Sequence, residues 1–386
     1  MAKPSFEMNN TRLLRNLLLP VHVSRRTYFG KEQSYKQAPT LSYSVRDAAY
    51  DFRSDTVTVP TTAMFEAMRT ASLGDDVFEE DRTTNEFEEF IADFTGYESA
   101  VFVASGTMGN QLALRTHLTQ PPYSVLLDAR SHIYNYETGG LAYHSGAHVI
   151  PVHPSNPIHM TRKDVMNSLI VSDDVHYAPT RVVALENTLN GTLFPLSEIA
   201  NISVVARENN VKMHLDGARL WNACAETGDS IKDYAKHFDS ISLCFSKGLG
   251  APMGSMLVGS KDFIKKARHF RKVFGGGWRQ SGPIAAAAKH ALEANYPTRL
   301  RETHKLARQF ASELSQCGVL ITKPVHTNMI WMDISPLGIT SNVLQTELTK
   351  ENIRIFDTDA TNLRATITGE KAENDLHLRT WWITRD

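Results

Sequence analysis

Cysteine is scarce in this chain. Cys224, Cys244 and Cys317 are the only three among 386 residues. Odd in number and widely spaced, they form neither a disulfide framework nor a metal-ligand pattern, so the sequence points to a reducing compartment and to no metal site. Also missing is any apolar run near the roughly 20 residues that a membrane-spanning helix needs, and no membrane association is expected. An excess of one charge is absent too. Lys and Arg number 41 against 42 Asp and Glu, a formal net charge of −1, which leaves no overall basic field for nucleic acid. Low-complexity tracts and internal repeats are lacking from residue 51 onward. What is present is ordinary globular composition, 42% hydrophobic and 22% charged, enough for a large domain with a smaller companion.

The first fifty residues differ from the rest. Acidic side chains are missing between Glu7 and Glu32, while Arg12, Arg15, Arg25, Arg26 and Lys31 are basic. Leu13, Leu14, Leu17 and Leu18 recur at helical spacing until Pro20 interrupts them. A short basic amphipathic helix is the pattern of a mitochondrial transit peptide; a disordered or partner-clasping arm is the alternative. Residues 1–50 are therefore read as an N-terminal extension, and residence as cytoplasmic or mitochondrial.

Beyond that extension, apolar runs of strand length alternate with helical patterns. Strands are expected at 100–104, 124–128, 148–152, 181–186, 211–216, 240–246 and 254–259, with helices between most of them, as at 107–117, 196–209 and 218–227. Short apolar strands separated by helices imply βαβ units and a mostly parallel sheet covered on both faces, an α/β fold. Long helical patterns at 261–273, 283–295 and 299–316 follow. Then come 328–334, 342–350, 353–356 and 362–368, a small α+β domain. The expected division is a large domain over 51–295 and a small C-terminal domain over 296–386.

Ligands of such sheets bind at the carboxyl ends of the strands, and two charged residues stand there. Lys212-Met213-His214-Leu215-Asp216-Gly217 and Ser242-Leu243-Cys244-Phe245-Ser246-Lys247-Gly248 each read as a buried strand running into a charge and then glycine. A carboxylate that holds a pyridine nitrogen protonated, and a lysine that carries the cofactor as a Schiff base, are what pyridoxal phosphate chemistry requires. Asp216 also reads as an N-cap for a helix starting at Ala218. Arg219 can face the same pocket and clamp a substrate carboxylate. Ser105-Gly106-Thr107-Met108-Gly109-Asn110 opens a helix after a strand, where glycine, free N–H groups and the helix dipole suit a phosphate. His132 follows the strand at 124–128 and can stack on a pyridine ring or exchange protons with substrate. The other histidines carry no motif and are read as structural or surface. Gly275-Gly276-Gly277-Trp278-Arg279-Gln280 joins two helices, and Arg279 can bind phosphate.

These blocks, together with Asp51-Phe52-Arg53-Ser54-Asp55-Thr56-Val57-Thr58, Ser131-His132-Ile133-Tyr134-Asn135-Tyr136-Glu137, Leu185-Glu186-Asn187-Thr188 and Ser246-Lys247-Gly248-Leu249-Gly250-Ala251-Pro252, resemble the L-threonine aldolases, fold-type I pyridoxal 5'-phosphate enzymes related to β-eliminating lyases. The resemblance implies Lys247 as the Schiff-base lysine, Asp216 on the ring nitrogen and His132 stacked on the ring. It puts Gly106 and Thr107 on the phosphate, with Arg279 reaching the phosphate of a neighbouring subunit, hence a homodimer or homotetramer with shared sites. Ser54, Arg219 and Arg364 would hold the carboxylate of an amino-acid substrate. Two departures stand out. Bacterial members often have histidine where Leu189 follows Thr188, and Arg364-Ala365-Thr366-Ile367-Thr368 differs from the family's usual arginine-apolar-valine-x-histidine.

The expected reaction is cleavage of L-threonine or L-allo-threonine to glycine and acetaldehyde. The related fungal alanine racemases offer a rival reading, isomerisation through the Cα–H bond. A general β-eliminating lyase and a catalytically silent paralogue serving as a binding protein are further alternatives.

Overall fold

The computed structural model describes residues 48–369; the transit-peptide reading falls on residues outside them. A seven-stranded sheet is built from β1 (Ser99–Val103), β2 (Ser124–Asp128), β3 (His148–Val152), β4 (Thr180–Glu186), β5 (Lys212–Gly217), β6 (Ser240–Cys244) and β7 (Ser255–Gly259), in the order β1-β7-β6-β5-β4-β2-β3. β3, β2, β4, β5 and β6 run parallel, and β7 is antiparallel to both β6 and β1. The α/β architecture expected from the sequence is therefore present, with one reversed strand that a run of apolar residues cannot distinguish from its neighbours. β2, β6 and β7 are buried along their whole length, as strands covered on both faces must be.

The register places the charged residues. Asp216 on β5 lies opposite Glu186 on β4 and Ser242 on β6, so three polar side chains meet at one edge of the sheet. Just past β6, Trp221 fixes the segment leading to Lys247: its ring is buried and its indole N–H donates to the Cys244 carbonyl at 3.0 Å. Trp221, Phe87, Phe102 and Phe245 form the aromatic centre of the main core. The helix Gly106–His117 packs so closely on β6 that side chains are excluded. A Cβ at Gly106 would lie 2.6 Å from Cys244 Sγ, and one at Gly109 would lie 2.4 Å from Ser242 Oγ. Asp216 is not a helix N-cap: the next helix is Leu220–Thr227, with Arg219 at its cap position. Gly217 ends the strand and Ala218 and Arg219 form the turn after it, where the Ala218 N–H donates to Asp216 Oδ1 at 3.1 Å.

The helix Thr298–Gln316 leads to a second, antiparallel sheet in the order β10-β11-β9-β8, made of β8 (Leu320–Ile321), β9 (Met329–Asp333), β10 (Phe356–Asp357) and β11 (Asn362–Thr366). Its own core gathers Phe310, Leu314, Ile330, Met332, Leu344 and Leu363. Phe52, early in the sequence, packs in this core, and its backbone bonds to Arg354 and Thr366 at 2.7 and 2.9 Å. The chain thus passes the small sheet before entering the large one, which brings Ser54 and Asp55 between them. No helix among the described residues is long and apolar enough to cross a membrane.

Candidate active site

The site grows from the edge where β4 and β5 end. Asp216 is buried; its Oδ2 accepts from Asn110 Nδ2 at 2.9 Å. The same Asn110 amide group donates to Glu137 Oε1, also at 2.9 Å. Glu137 is bound in turn by Gln111 Nε2 at 2.6 Å and faces His132 Nδ1 at 2.9 Å. Oxygen and nitrogen atoms of His132, Glu137 and Asp216 all lie within 4.8 Å of one another. His132 is fixed from below as well, its backbone N–H donating to Glu186 Oε2 at 2.7 Å. Burial disfavours a charged imidazole there, but the Glu137 hydrogen bond and the Asp216, Glu137 and Glu186 carboxylates outweigh it and raise the His132 pKa.

Glu186 ties the lysine to this group. Burial and the neighbouring Asp216 charge push its carboxyl up to about 8, against the pull of His132 and Lys247. Lys247 is partly buried, two residues beyond Phe245, and lies within electrostatic reach of both Glu186 and Asp55.

Within reach of the lysine stands a second charged cluster. Asp55 is fully buried and receives a two-pronged bond from Arg219, Nε to Oδ2 at 2.9 Å and Nη2 to Oδ1 at 2.5 Å, with Asn328 Nδ2 at 3.3 Å. Burial alone would raise this carboxyl, yet the charge and hydrogen bonds of Arg219, with Lys247 and Asn328, hold it well below the usual carboxylate range. Arg364 on β11 lies against the Phe356 and Trp331 rings, 4.5 and 5.7 Å from their centroids. Its Nη2 donates to the Arg53 carbonyl at 2.7 Å, while its Nε is buried without a partner. Burial and the nearby Arg219 lower its pKa to about 10, the environment of a cation short of an anion. Ser54 Oγ caps the short turn Asp55–Val57 by accepting from Thr56 N–H, so its own proton is free to be donated.

The remaining residues named from the sequence fall in two places. Gly106 and Thr107 open the helix Gly106–His117, capped by Ser105; amides in a first helical turn have no intrahelical acceptor and present an anion site. Arg279 lies apart from the Lys247 group. It is exposed on its loop and pairs with Asp75 at 3.2 Å. Leu189 is buried beside a turn closed by Thr192 N–H onto its carbonyl, with no proton to exchange.

Sequence reasoning missed Glu137, Glu186, Asp55, Asn110, His214 and Asn328. The first four lie inside motif blocks but carry no local sign of their role, since their partners lie up to 273 residues away. His214, read as structural or surface, is fully buried behind Asp216 and faces Asn110 Oδ1 at 3.1 Å.

A pyridoxal phosphate group can be tested against this donor set. A ring nitrogen needs a buried carboxylate, an aldehyde needs an amine, and a phosphate needs free amides, and Asp216, Lys247 and the helix opening at Gly106 supply these. Glycine at 106 is a packing requirement, since a Cβ would lie 2.6 Å from Cys244 Sγ; it lets the helix opening that carries those amides seat directly on the strand. The residues fit.

Comparison with known proteins agrees with this fit. The β-eliminating lyase family matches residues 51–336. A low-specificity L-threonine aldolase of Eremothecium gossypii is 47% identical over 305 residues, covering 79% of this chain and 80% of that protein. An alanine racemase of Cochliobolus carbonum is 42% identical over 299 residues, covering 76% and 77%. Among solved structures, the threonine aldolase of Leishmania major has a TM-score of 0.74 at 20% identity, covering 86% of this chain and 97% of that one; at that identity it speaks for the fold alone.

Proposed function

The chain belongs to the β-eliminating lyase family, and on that premise we propose that it is a pyridoxal 5'-phosphate-dependent aldehyde-lyase splitting L-threonine and L-allo-threonine into glycine and acetaldehyde. The observation that carries the reading is the convergence of Lys247, Asp216 and His132 around Glu186, with Arg219 and Arg364 gathered at Asp55, which Lys247 also reaches.

Lys247 would carry the cofactor through its amine, Asp216 would meet the ring nitrogen, and His132 would lie against the ring. The Gly106 and Thr107 amides would receive the phosphate. When bound, pyridoxal phosphate supplies the electron sink that lets a bond at Cα break.

The protein's own groups select which bond. Arg364, with its unpartnered Nε, and the Nη1 of Arg219 that Asp55 leaves free are placed to hold the substrate carboxylate, with the Ser54 hydroxyl as a third donor. Holding the carboxylate fixes rotation about the Cα–N bond, and so decides which substituent is presented for cleavage. Because Glu137 holds His132 at Nδ1, the Nε2 of the neutral ring keeps its lone pair for the β-hydroxyl proton. With leucine at position 189, His132 is the base this reading assigns. Arg279, exposed and among the described residues paired only with the half-buried Asp75, is suited to enter the site of a second copy, which favours a homodimer or a tetramer of dimers.

The likeness to an alanine racemase keeps one second reading in play, proton exchange at Cα. Purified holoenzyme given L-threonine, L-allo-threonine and L-alanine separately decides between them. Acetaldehyde with an equal amount of glycine from the hydroxy amino acids is the expected result; D-alanine without aldehyde selects the racemase.

A further inference from the structure

Behind Asp216 runs a buried chain of hydrogen bonds that the reaction scheme above does not use. Asn110 Nδ2 reaches both Asp216 Oδ2 and Glu137 Oε1 at 2.9 Å; Asn110 Oδ1 is 3.1 Å from His214 Nε2; His214 Nδ1 is 2.9 Å from Ser240 Oγ; and Ser240 Oγ is 2.8 Å from His117 Nε2. Asn110, His214 and Ser240 are at most 1% exposed, so water cannot substitute for any of these partners.

The direction of every bond follows from one end. Two carboxylates accept from the same side-chain amide, so both protons of the Asn110 NH2 are committed and its oxygen faces His214. An amide oxygen only accepts, so His214 Nε2 carries the ring proton. If the ring is neutral, Nδ1 accepts from Ser240, whose oxygen accepts from His117 Nε2–H. Burial, complete for His214 and partial for His117, favours the neutral rings and lowers the pKa of His214 to about 4; burial and the neighbouring His214 lower that of His117 to about 3, against the pull of Asp216 on the first and Asp239 on the second. Lys212 and Lys266, also within reach of His117, act in the same direction as burial.

We infer that Asn110 and His214 are positioning residues for Asp216: Asn110 joins it to Glu137 through one amide group, and His214 anchors that amide as a neutral Nε2–H ring. A charged histidine behind Asp216 would neutralise part of its charge. A neutral one leaves that charge to the cofactor's ring nitrogen, and the shared amide couples it to Glu137, which aligns His132. The inference rests on the proposed function, because it assigns Asp216 to that nitrogen.

Two measurements on the full-length protein test it. In the holoenzyme, Asn110→Leu keeps the side-chain volume and removes both donors; kcat is expected to fall about tenfold with KM for L-threonine within about twofold, and the pH midpoint of the cofactor's visible absorbance to move by about one unit. His214→Leu is expected to move the same two quantities in the same direction by less. A purely structural role would lower thermal stability and leave kcat and the midpoint unchanged, and that result overturns the inference. Independently, 15N spectra of histidine-labelled wild type are expected to show His214 at neutral pH as a neutral ring protonated at Nε2. A doubly protonated ring, or one protonated only at Nδ1, overturns the inference even if Asn110→Leu does not fold. Should the wild type take up no pyridoxal phosphate, the proposed function falls, and the histidine spectra alone decide whether the chain is oriented as stated.

Discussion

Two buried aspartates belong to the site, and they are treated in opposite ways. Asp55 is gripped by the fork of Arg219 and by Asn328, so its charge is matched within the protein. Among the described residues the Asp216 carboxylate receives only neutral donors, the Asn110 amide and the Ala218 backbone N–H, with a histidine of lowered pKa behind that amide. Neutral donors hold a carboxylate in place without cancelling its charge. The contrast separates two jobs that residue type alone does not: Asp55 orients a cation, and Asp216 keeps an anion available.

The largest expected effect comes from the lysine. Lys247→Ala should lower acetaldehyde release from L-threonine by at least roughly 10,000-fold, since the amine acts as a nucleophile for which nothing substitutes; a stopped aldehyde assay measures it. Next, Asp216→Ala should lower kcat by roughly 100- to 1,000-fold, the scale seen when a buried electrostatic partner of a reacting centre is removed. If the two aspartates do different work, Asp55→Ala should act elsewhere. It leaves Arg219 buried without its counter-ion, so a loss of about 3–5 kcal/mol in denaturant unfolding and a raised KM are expected, with a smaller effect on kcat than at Asp216. Equal kcat losses at the two positions would erase the distinction.

Two pH dependences sharpen the same contrast. The Asp55 carboxyl is held below its unfolded value, so its contribution to stability is present above a pH of about 4 and is lost as the pH falls further. Glu186, beside Asp216, behaves oppositely. Its folded carboxyl is raised to about 8, so between the unfolded value near ~4.3 and that figure the folded state binds the extra proton. Stability then falls as pH rises through this window, by up to about 1.4 kcal/mol per unit. Glu186→Gln keeps an acceptor for the His132 N–H, and is expected to flatten that slope in unfolding curves taken at several pH values. An unchanged slope would place the proton elsewhere.

How much of this was legible in the sequence depends on the range of each interaction. Alternating apolar runs and helical patterns revealed the parallel sheet, because burial on both faces is written locally. Lys247 and Asp216 were legible for the same reason: each is a charge where an apolar strand stops. The antiparallel direction of β7 was not, since direction depends on pairing. Nor was the pairing of Arg219 with Asp55, which joins residues on separate elements through a fold that first passes the small sheet at Phe52. Asn110 lay inside a recognised block yet looked like the second turn of a helix. Only its position opposite Glu137 and Asp216 gives the amide its meaning. Arg279 was legible as a cation on a glycine loop, while the described residues of its own chain offer its side chain just Asp75.

The most direct test of the account is a product balance. Holoenzyme incubated with L-threonine should release acetaldehyde and glycine in equal amounts, and with L-alanine should form no D-alanine. Conversion of L-alanine to its D form with no aldehyde from threonine would contradict the assignment of the Cα–Cβ bond as the one these residues break.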